Sequence, residues 1–394
     1  NAGVAQPGFF RDKYDCSANG SIASSIALAM PMVSSPAAGQ VGFSAVGATN
    51  AYYGAFAAAR TRGAKFHPET VQQADAITRI SEAHAQASTA TTYCAWWSAG
   101  STNYPKGCDN NALGSTDDGA LTFTSAGAAS YPNMAKTGSG SNFAKTTHNG
   151  QACGIADVAG NIYKINPGMT SIGTTKAITA ATKTNPVQIT VTGHGRITGD
   201  VAVIESVVGM TQINTKAFTV TVVDANNLTL DGVDGTAFGT YTSGGTLYNA
   251  TFYALKPTAD ITAITDGATL STDHWGAAGV AANFDPITLN FRTDYPNNAI
   301  AQRYGNGSNA VFSNATAADR ARTMLGMPAA GGVSPSGSSL MGTDYYYEHM
   351  VNQLCVISRC NWNAGSSGGG RLRNLGSVRS SAYYNAGLAA CSYL

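Results

Sequence analysis

Arg359-Cys360-Asn361-Trp362-Asn363-Ala364-Gly365-Ser366-Ser367-Gly368-Gly369-Gly370, continued by Tyr383-Tyr384-Asn385-Ala386-Gly387-Leu388-Ala389-Ala390-Cys391, is the stretch on which the reading of this chain turns. Gly, Ser, Asn, Arg and Tyr dominate it. Ser, Gly and Asn supply adaptable hydrogen bonding, while Tyr and Arg supply broad amphipathic contact area at modest entropic cost, the residue usage of a paratope. The segment reads as a binding surface laid on a glycine-shaped backbone. Upstream, His148-Asn149-Gly150-Gln151-Ala152-Cys153-Gly154-Ile155-Ala156-Asp157-Val158-Ala159-Gly160-Asn161-Ile162-Tyr163 places Gly160-Asn161 between apolar runs. That predicts a turn with positive φ, the Asp157 carboxylate bonding neighbouring backbone amides.

Composition bounds what such a surface can be mounted on. With 394 residues the chain exceeds what one core usually organises, so two units or one domain with a large insertion is expected. Charged residues are 11% and the net charge is +1, which lacks the basic footprint of a nucleic-acid binder. The longest apolar stretch, around Ile22 to Val33, falls short of a membrane helix, so membrane insertion is not expected. The first residue is Asn1, which leaves room for a removed leader or upstream segment. Seven scattered cysteines (Cys16, Cys94, Cys108, Cys153, Cys355, Cys360, Cys391) fit neither a disulfide framework nor a zinc site, and their odd number leaves one thiol free or shared between chains.

Along the chain, residues 1 to about 65 read as irregular, with a short candidate strand at Gln40 to Ala45. Val71, Ala74, Ile77, Ile80, His84, Ala87, Thr91 and Cys94 then step by three and four, predicting a helix with Pro68 and Glu69 in its first turn. Asn103 to Gly119 is a turn-rich loop. Between about 174 and 248 the texture changes to short β-branched runs: Val187–Val191, Val201–Ile204, Phe218–Val223, Leu228–Leu230 and Thr246–Tyr248. Gly-, Asp- and Asn-rich turns separate them, so a small all-β module is expected there. Its phrases Thr192-Gly193-His194-Gly195 and Asp224 to Gly232 are similar to compact β-domains inserted in phage tail proteins, which implies a spacer.

The His148 to Tyr163 stretch resembles the Gly-Ile-x-Asp-x-x-Gly-Asn-Val-Trp segment of the formylglycine-generating-enzyme type of C-type lectin fold. Trp362-Asn363-Ala364-Gly365, Gly368-Gly369-Gly370 and Asn385-Ala386-Gly387-Leu388 in turn resemble, in order, the three parts of the variable region of diversity-generating-retroelement target proteins. Tyr104-Pro105-Lys106-Gly107, Asn110-Asn111-Ala112-Leu113 and the stretch His84 to Trp97 also resemble this group. Cys360 and Ala389 depart from the usual Gly and Arg. The resemblance implies an α+β architecture: a C-type lectin fold with an inserted small all-β domain. Its first part is 1–173, the insertion 174–248 and the remainder 249–394, with the variable region at about 355–391.

That likeness implies Trp362, Gly365, Gly369, Gly387 and Leu388 as scaffold. It implies ligand contact by Asn361, Asn363, Ser366, Ser367, Leu372, Gly376, Ser377, Ser381, Tyr383 and Tyr384. The tyrosine pair would be the anchors, since aromatic side chains dominate hot spots. Arg371, Arg373 and Arg379 fit carbonyl-bonding roles that hold the loop, slightly better than contact with an acidic or glycan ligand. The implied function is recognition of a cell-surface protein or glycan receptor by a phage tail-tip adhesin, in the virion or alternatively on a bacterial surface, compatible with a homo-oligomer. A structural virion or host-displayed surface protein is the competing class. A formylglycine-generating-type oxidase is remote, because Cys355 and Cys360 precede Trp362 where that family's pair follows it; both read as small core residues.

No His-Glu-x-x-His helix or phosphate-binding loop occurs, and no cofactor is expected. The six histidines (His67, His84, His148, His194, His274, His349) are isolated, as structural histidines are. Asp109, Asp117 and Asp118 offer the oxygen ligands of a structural calcium site without a regular loop pattern to support one.

Overall fold

The computed structural model of the protein describes residues 1–87, 134–139, 147–148, 153–158, 160–264, 282–287, 299–303, 345–359, 361–362, 370 and 372–394. Residues 103–119, expected to form a loop, with their three aspartates, and Cys94, Cys108 and Cys360, lie outside these residues.

A six-stranded sheet organises the body in the order Ala299–Arg303, Tyr345–His349, Arg373–Asn374, Val356–Ser358, Tyr163–Asn166, Ala386–Gly387. Tyr163–Asn166 is its pivot. Antiparallel pairing sets Ile357 opposite Ile165, and parallel pairing sets Ala386 opposite Tyr163. The two stretches singled out in the sequence are thus neighbours in one sheet. At the chain ends Phe9–Arg11 pairs with Ala390–Tyr393, which also pairs with His67–Pro68. Beneath them Phe43, Tyr52, Ile165, Ile357 and Leu388 share one buried cluster, which draws the N-terminal segment, the central strand and the tail together.

The periodic helix forms over Val71–Ala87. Pro68 lies in the preceding strand instead of the first turn, and the helix is opened by Thr70 and Gln73. The Thr70 amide donates to Gln73 Oε1 (2.9 Å) and the Gln73 amide to Thr70 Oγ1 (3.2 Å), a reciprocal cap. Val71, Ala74 and Ile77 face inward as expected, but Ile80 is 59% exposed and Thr78 and Ser81 are buried. Thr78 Oγ1 lies 2.8 Å from the Ala74 carbonyl of its own helix and 3.1 Å from the carbonyl of Gly370, so the helix turns a hydroxyl toward the tail. Thr91 and Cys94 lie outside the described residues. The expected strand at Gln40 to Ala45 is replaced by a 3₁₀ turn, Phe43–Val46, ended by Gly47 at φ 79°. Three residues per turn puts Phe43 and Val46 on the same, buried side.

In the module, strands Gln188–Thr190, Val201–Val208, Lys216–Asp224, Asn227–Leu230 and Ser243–Leu255 fall on the five predicted runs. Their inward residues, Ile189, Ala202, Ile204, Val220, Leu228 and Leu247 among them, form a separate core. Both expected boundaries, 173/174 and 248/249, fall inside strands. Met169–Ala177 pairs with Ser243–Leu255 from Met169–Ala254 to Ala177–Thr246, a continuous ribbon running from body into module. His194 is buried here, its Nε2 2.7 Å from the Asp224 carbonyl and its Nδ1 accepting the Arg196 amide (2.9 Å), a structural histidine as read.

Candidate functional site

The described residues of the tail divide into buried and solvent-facing positions. Trp362 is fully buried against Val33, Met134 and Ile162. Gly387 accepts no larger residue, because a Cβ there would sit 2.1 Å from the Met32 carbonyl oxygen. Arg373 is buried and its Nη1 donates to the carbonyls of Gly370 (3.1 Å) and Leu372 (2.9 Å). Arg379 is buried too, with its guanidinium over the Tyr53 ring. Arg373 thus holds the backbone, the role the sequence slightly favoured, while Arg379 packs on an aromatic ring.

The expected contact residues divide. Asn361, Leu372 and Ser377 are buried (2%, 5% and 6% exposed) and are not displayed, contrary to the expectation that they face a ligand. Leu372 turns in because its carbonyl accepts the Arg359 amide across the sheet, and Ser377 because its carbonyl accepts the Cys355 amide. Gly376 is half-buried beneath the Tyr347 ring, and its amide donates to Asn374 Oδ1 (2.7 Å). Ser381, Tyr383 and Tyr384 come together in one run, Ser380 to Tyr384, that reaches solvent. Tyr383 is 49% exposed. Its backbone is pinned by Ser34, whose Oγ accepts the Tyr383 amide (3.0 Å) and donates to its carbonyl (3.1 Å). Tyr384 is half-buried, its ring 6.0 Å from that of Trp362 and its carbonyl bonded by Gln40 Nε2 (2.9 Å). Asn363, Ser366, Ser367 and Arg371 lie outside the described residues, as do scaffold positions Gly365 and Gly369.

Beneath this surface lies a group of charges that the sequence reading missed. Glu69 Oε1 accepts from Arg359 Nη2 (2.8 Å) and Arg11 Nε (3.1 Å), all three side chains being buried. Lys164 Nζ lies 2.7 Å from Asp15 Oδ2, both fully buried, and donates to the Ile162 carbonyl (2.6 Å). Arg359 also reaches the Val158 carbonyl (3.2 Å). Burial raises the Glu69 carboxyl, but Arg359 and Arg11 outweigh it and leave the group below its usual value. Only the Arg11/Asp15 spacing of four was legible. The other members come from segments far apart in sequence.

Asp157 borders this group with φ 56°, and Gly160 and Asn161 take φ 117° and 71°, the positive-φ turn predicted. Its carboxylate does not bond the neighbouring amides: Oδ2 accepts the distant Gly138 amide (2.9 Å). Burial first, then the Asp15 charge, pushes the Asp157 carboxyl from 3.8 up to about 7. Between those values the native state keeps a proton that the unfolded chain has released. Its stabilising contribution is therefore complete below about pH 4 and is lost as pH rises through about 7. Asp157→Asn keeps an oxygen for the Gly138 amide. It is expected to flatten this decline and stabilise the protein above neutrality by on the order of a few kcal/mol. Urea unfolding across that pH range measures it; an equally steep decline in the variant would assign the slope to another group.

Cys16, Cys355 and Cys391 are free and buried, and burial pushes Cys355 up to about 12. Cys153 is exposed. His67 is buried, which drives it down to about 4. Among the described residues no group of three or more His, Cys, Asp or Glu is arranged to hold a metal ion, and no described helix is long and apolar enough to cross a membrane.

Residues 182–250 match the family described as the ubiquitin-activating enzyme E1 FCCH domain, a match confined almost entirely to the β module. No curated protein matches the chain. The likeness to a known family therefore concerns the inserted module, and the body with its tail stands on its own geometry.

Proposed function

We propose that this chain is a ligand-binding, non-catalytic protein of the C-type lectin type, with a retroelement-diversified C-terminal surface, serving as a phage tail-tip adhesin for a bacterial surface receptor. The observation that carries this reading is the division of labour in the tail. Trp362, Arg373, Arg379, Gly387 and Leu388 are buried, with Arg373 bonded to the backbone, while Ser380 to Tyr384 reaches solvent on that packed support. Change at Ser380 and Ser381 then leaves the core untouched, while the two tyrosines rest on it through Tyr52 and Trp362. A half-exposed tyrosine on a pinned backbone is also the anchor expected of a binding hot spot, rigid before the partner arrives. The module, joined by a two-stranded ribbon, acts in this reading as a spacer.

The test is binding of the purified protein to a panel of whole bacterial cells, compared with Tyr383→Ala. The Tyr383 ring also lies 6.0 Å from that of the buried Tyr52, so a stability loss of about 1 kcal/mol is expected, while cell labelling by the folded variant falls tenfold or more. Equal labelling by both proteins, or labelling of no cell, would favour a purely structural protein. Tyr384→Ala is a poorer probe, because it also removes packing from Trp362.

A further inference from the structure

Where the ribbon leaves the body there is a cleft of about 500 Å³, within the roughly 300–1,000 Å³ range of small-molecule sites. Its floor is one face of the module's sheet. Register sets Thr175 opposite Tyr248 and Glu205 opposite Thr246, and the two-residue period of a strand puts Thr175, Tyr248 and Glu205 on the same face. Its wall belongs to the body: His349, Met350 and Asn352. Met350 packs with Val203, Ala217 and Tyr248 and closes the apolar bottom.

The two sides are locked in place. Ser171 Oγ donates to the Val351 carbonyl (2.6 Å), the Gln353 amide to the Ser171 carbonyl (2.7 Å), and the Gly173 amide to Asn352 Oδ1 (3.0 Å). Gly173 is what lets the wall approach, since a Cβ there would lie 2.9 Å from the Asn352 nitrogen. A site so held needs no reorganisation to receive a ligand.

The polar groups facing the cleft decide its chemistry. The Glu205 carboxylate and Tyr248 hydroxyl make no hydrogen bond or ion pair to the described protein, and Asn352 uses only its oxygen, leaving its NH₂ to donate. Burial lowers the His349 ring below its usual range, so it meets a ligand as a neutral donor and acceptor. Among the described residues no lysine or arginine lines the cleft, so phosphate and carboxylate ligands find no counter-charge there. A lone carboxylate beside amide, phenol, imidazole and hydroxyl over an apolar floor suits the vicinal hydroxyls and apolar face of a sugar ring. We propose that this cleft binds a neutral saccharide, with Glu205 accepting from its hydroxyls and Tyr248 supplying both floor and hydroxyl. This site includes neither Tyr383 nor Tyr384 and does not depend on the adhesin reading.

The experiment is saturation-transfer NMR and calorimetric titration of the full chain with glucose, galactose, mannose, N-acetylglucosamine and their β-linked disaccharides. N-acetylneuraminic acid and glucose 6-phosphate serve as anionic controls. The proposal expects saturable binding of at least one neutral sugar and none of the anionic pair. Binding should weaken about tenfold or more in Glu205→Ala, and in Tyr248→Phe by less, with unchanged thermal unfolding. It should be unaffected by Tyr383→Ala, which separates this site from the tail surface. Absence of binding across the neutral panel, equal binding of the anionic sugars, or binding indifferent to Glu205→Ala would each overturn it.

Discussion

Glu69→Ala is expected to destabilise the protein by about 3–5 kcal/mol, because it leaves the buried guanidinium groups of Arg11 and Arg359 without their shared carboxylate. An intact buried ion pair contributes little net stability, since desolvation offsets attraction. The cost arises when one partner goes and the other stays buried and charged. Arg359→Met placed in the Glu69→Ala background should recover part of the loss, as it removes one orphaned charge. A double-mutant cycle by urea denaturation reads the coupling directly. Strictly additive losses would mean that packing, and not charge, is what Glu69 supplies. The pH dependence has a definite sign. With the Glu69 carboxyl held below its usual 4.5 by Arg359 and Arg11, its contribution is present above that value and lost as pH falls through the native one, so the Ala variant should lose part of the wild type's acid sensitivity.

Trp362→Ala is expected to cost a further large amount, about 3–5 kcal/mol, for a different reason. Trp362 is 0% exposed and fills the space between Val33, Met134 and Ile162. Removing the indole opens a cavity that neighbouring strands, tied by their own ladders, cannot close. The consequence extends to the surface, because the Tyr384 ring rests against the indole at 6.0 Å. Trp362→Phe keeps an aromatic body and should cost markedly less. Thermal and urea unfolding of both variants, with cell binding measured on the folded fraction, separates support from contact. A Trp362→Ala protein as stable as the wild type would remove the tail's scaffold from the account.

The sequence was most legible where a local rule had no competitor. The five β-branched runs of the module became strands, since turn residues between them left no other pairing. The Gly160-Asn161 turn took its positive φ because glycine and asparagine tolerate it. Helix Val71–Ala87 followed its apolar period. Where it strayed, tertiary contacts overrode local preference: Thr78 turned inward to meet Gly370, Ile80 was left outside, and Gln40–Ala45 yielded its extended conformation to a 3₁₀ turn that buries Phe43 and Val46.

Sequence by itself thus determined the module, the principal helix and the composition of a tail suited to display. Only the tertiary structure decided which tail residues are displayed. Asn361 and Ser377 are as polar as the exposed Ser380, but the fold turns them in, whereas Leu372 goes in as an apolar side chain does; Ser34 and Gln40 hold the Ser380–Tyr384 run out. The same holds for the buried charges. Arg11, Asp15, Glu69, Lys164 and Arg359 meet through non-local strand pairing, and one-dimensional spacing carries no record of it. Burial is a property of what packs above a residue, and that is set by the whole fold.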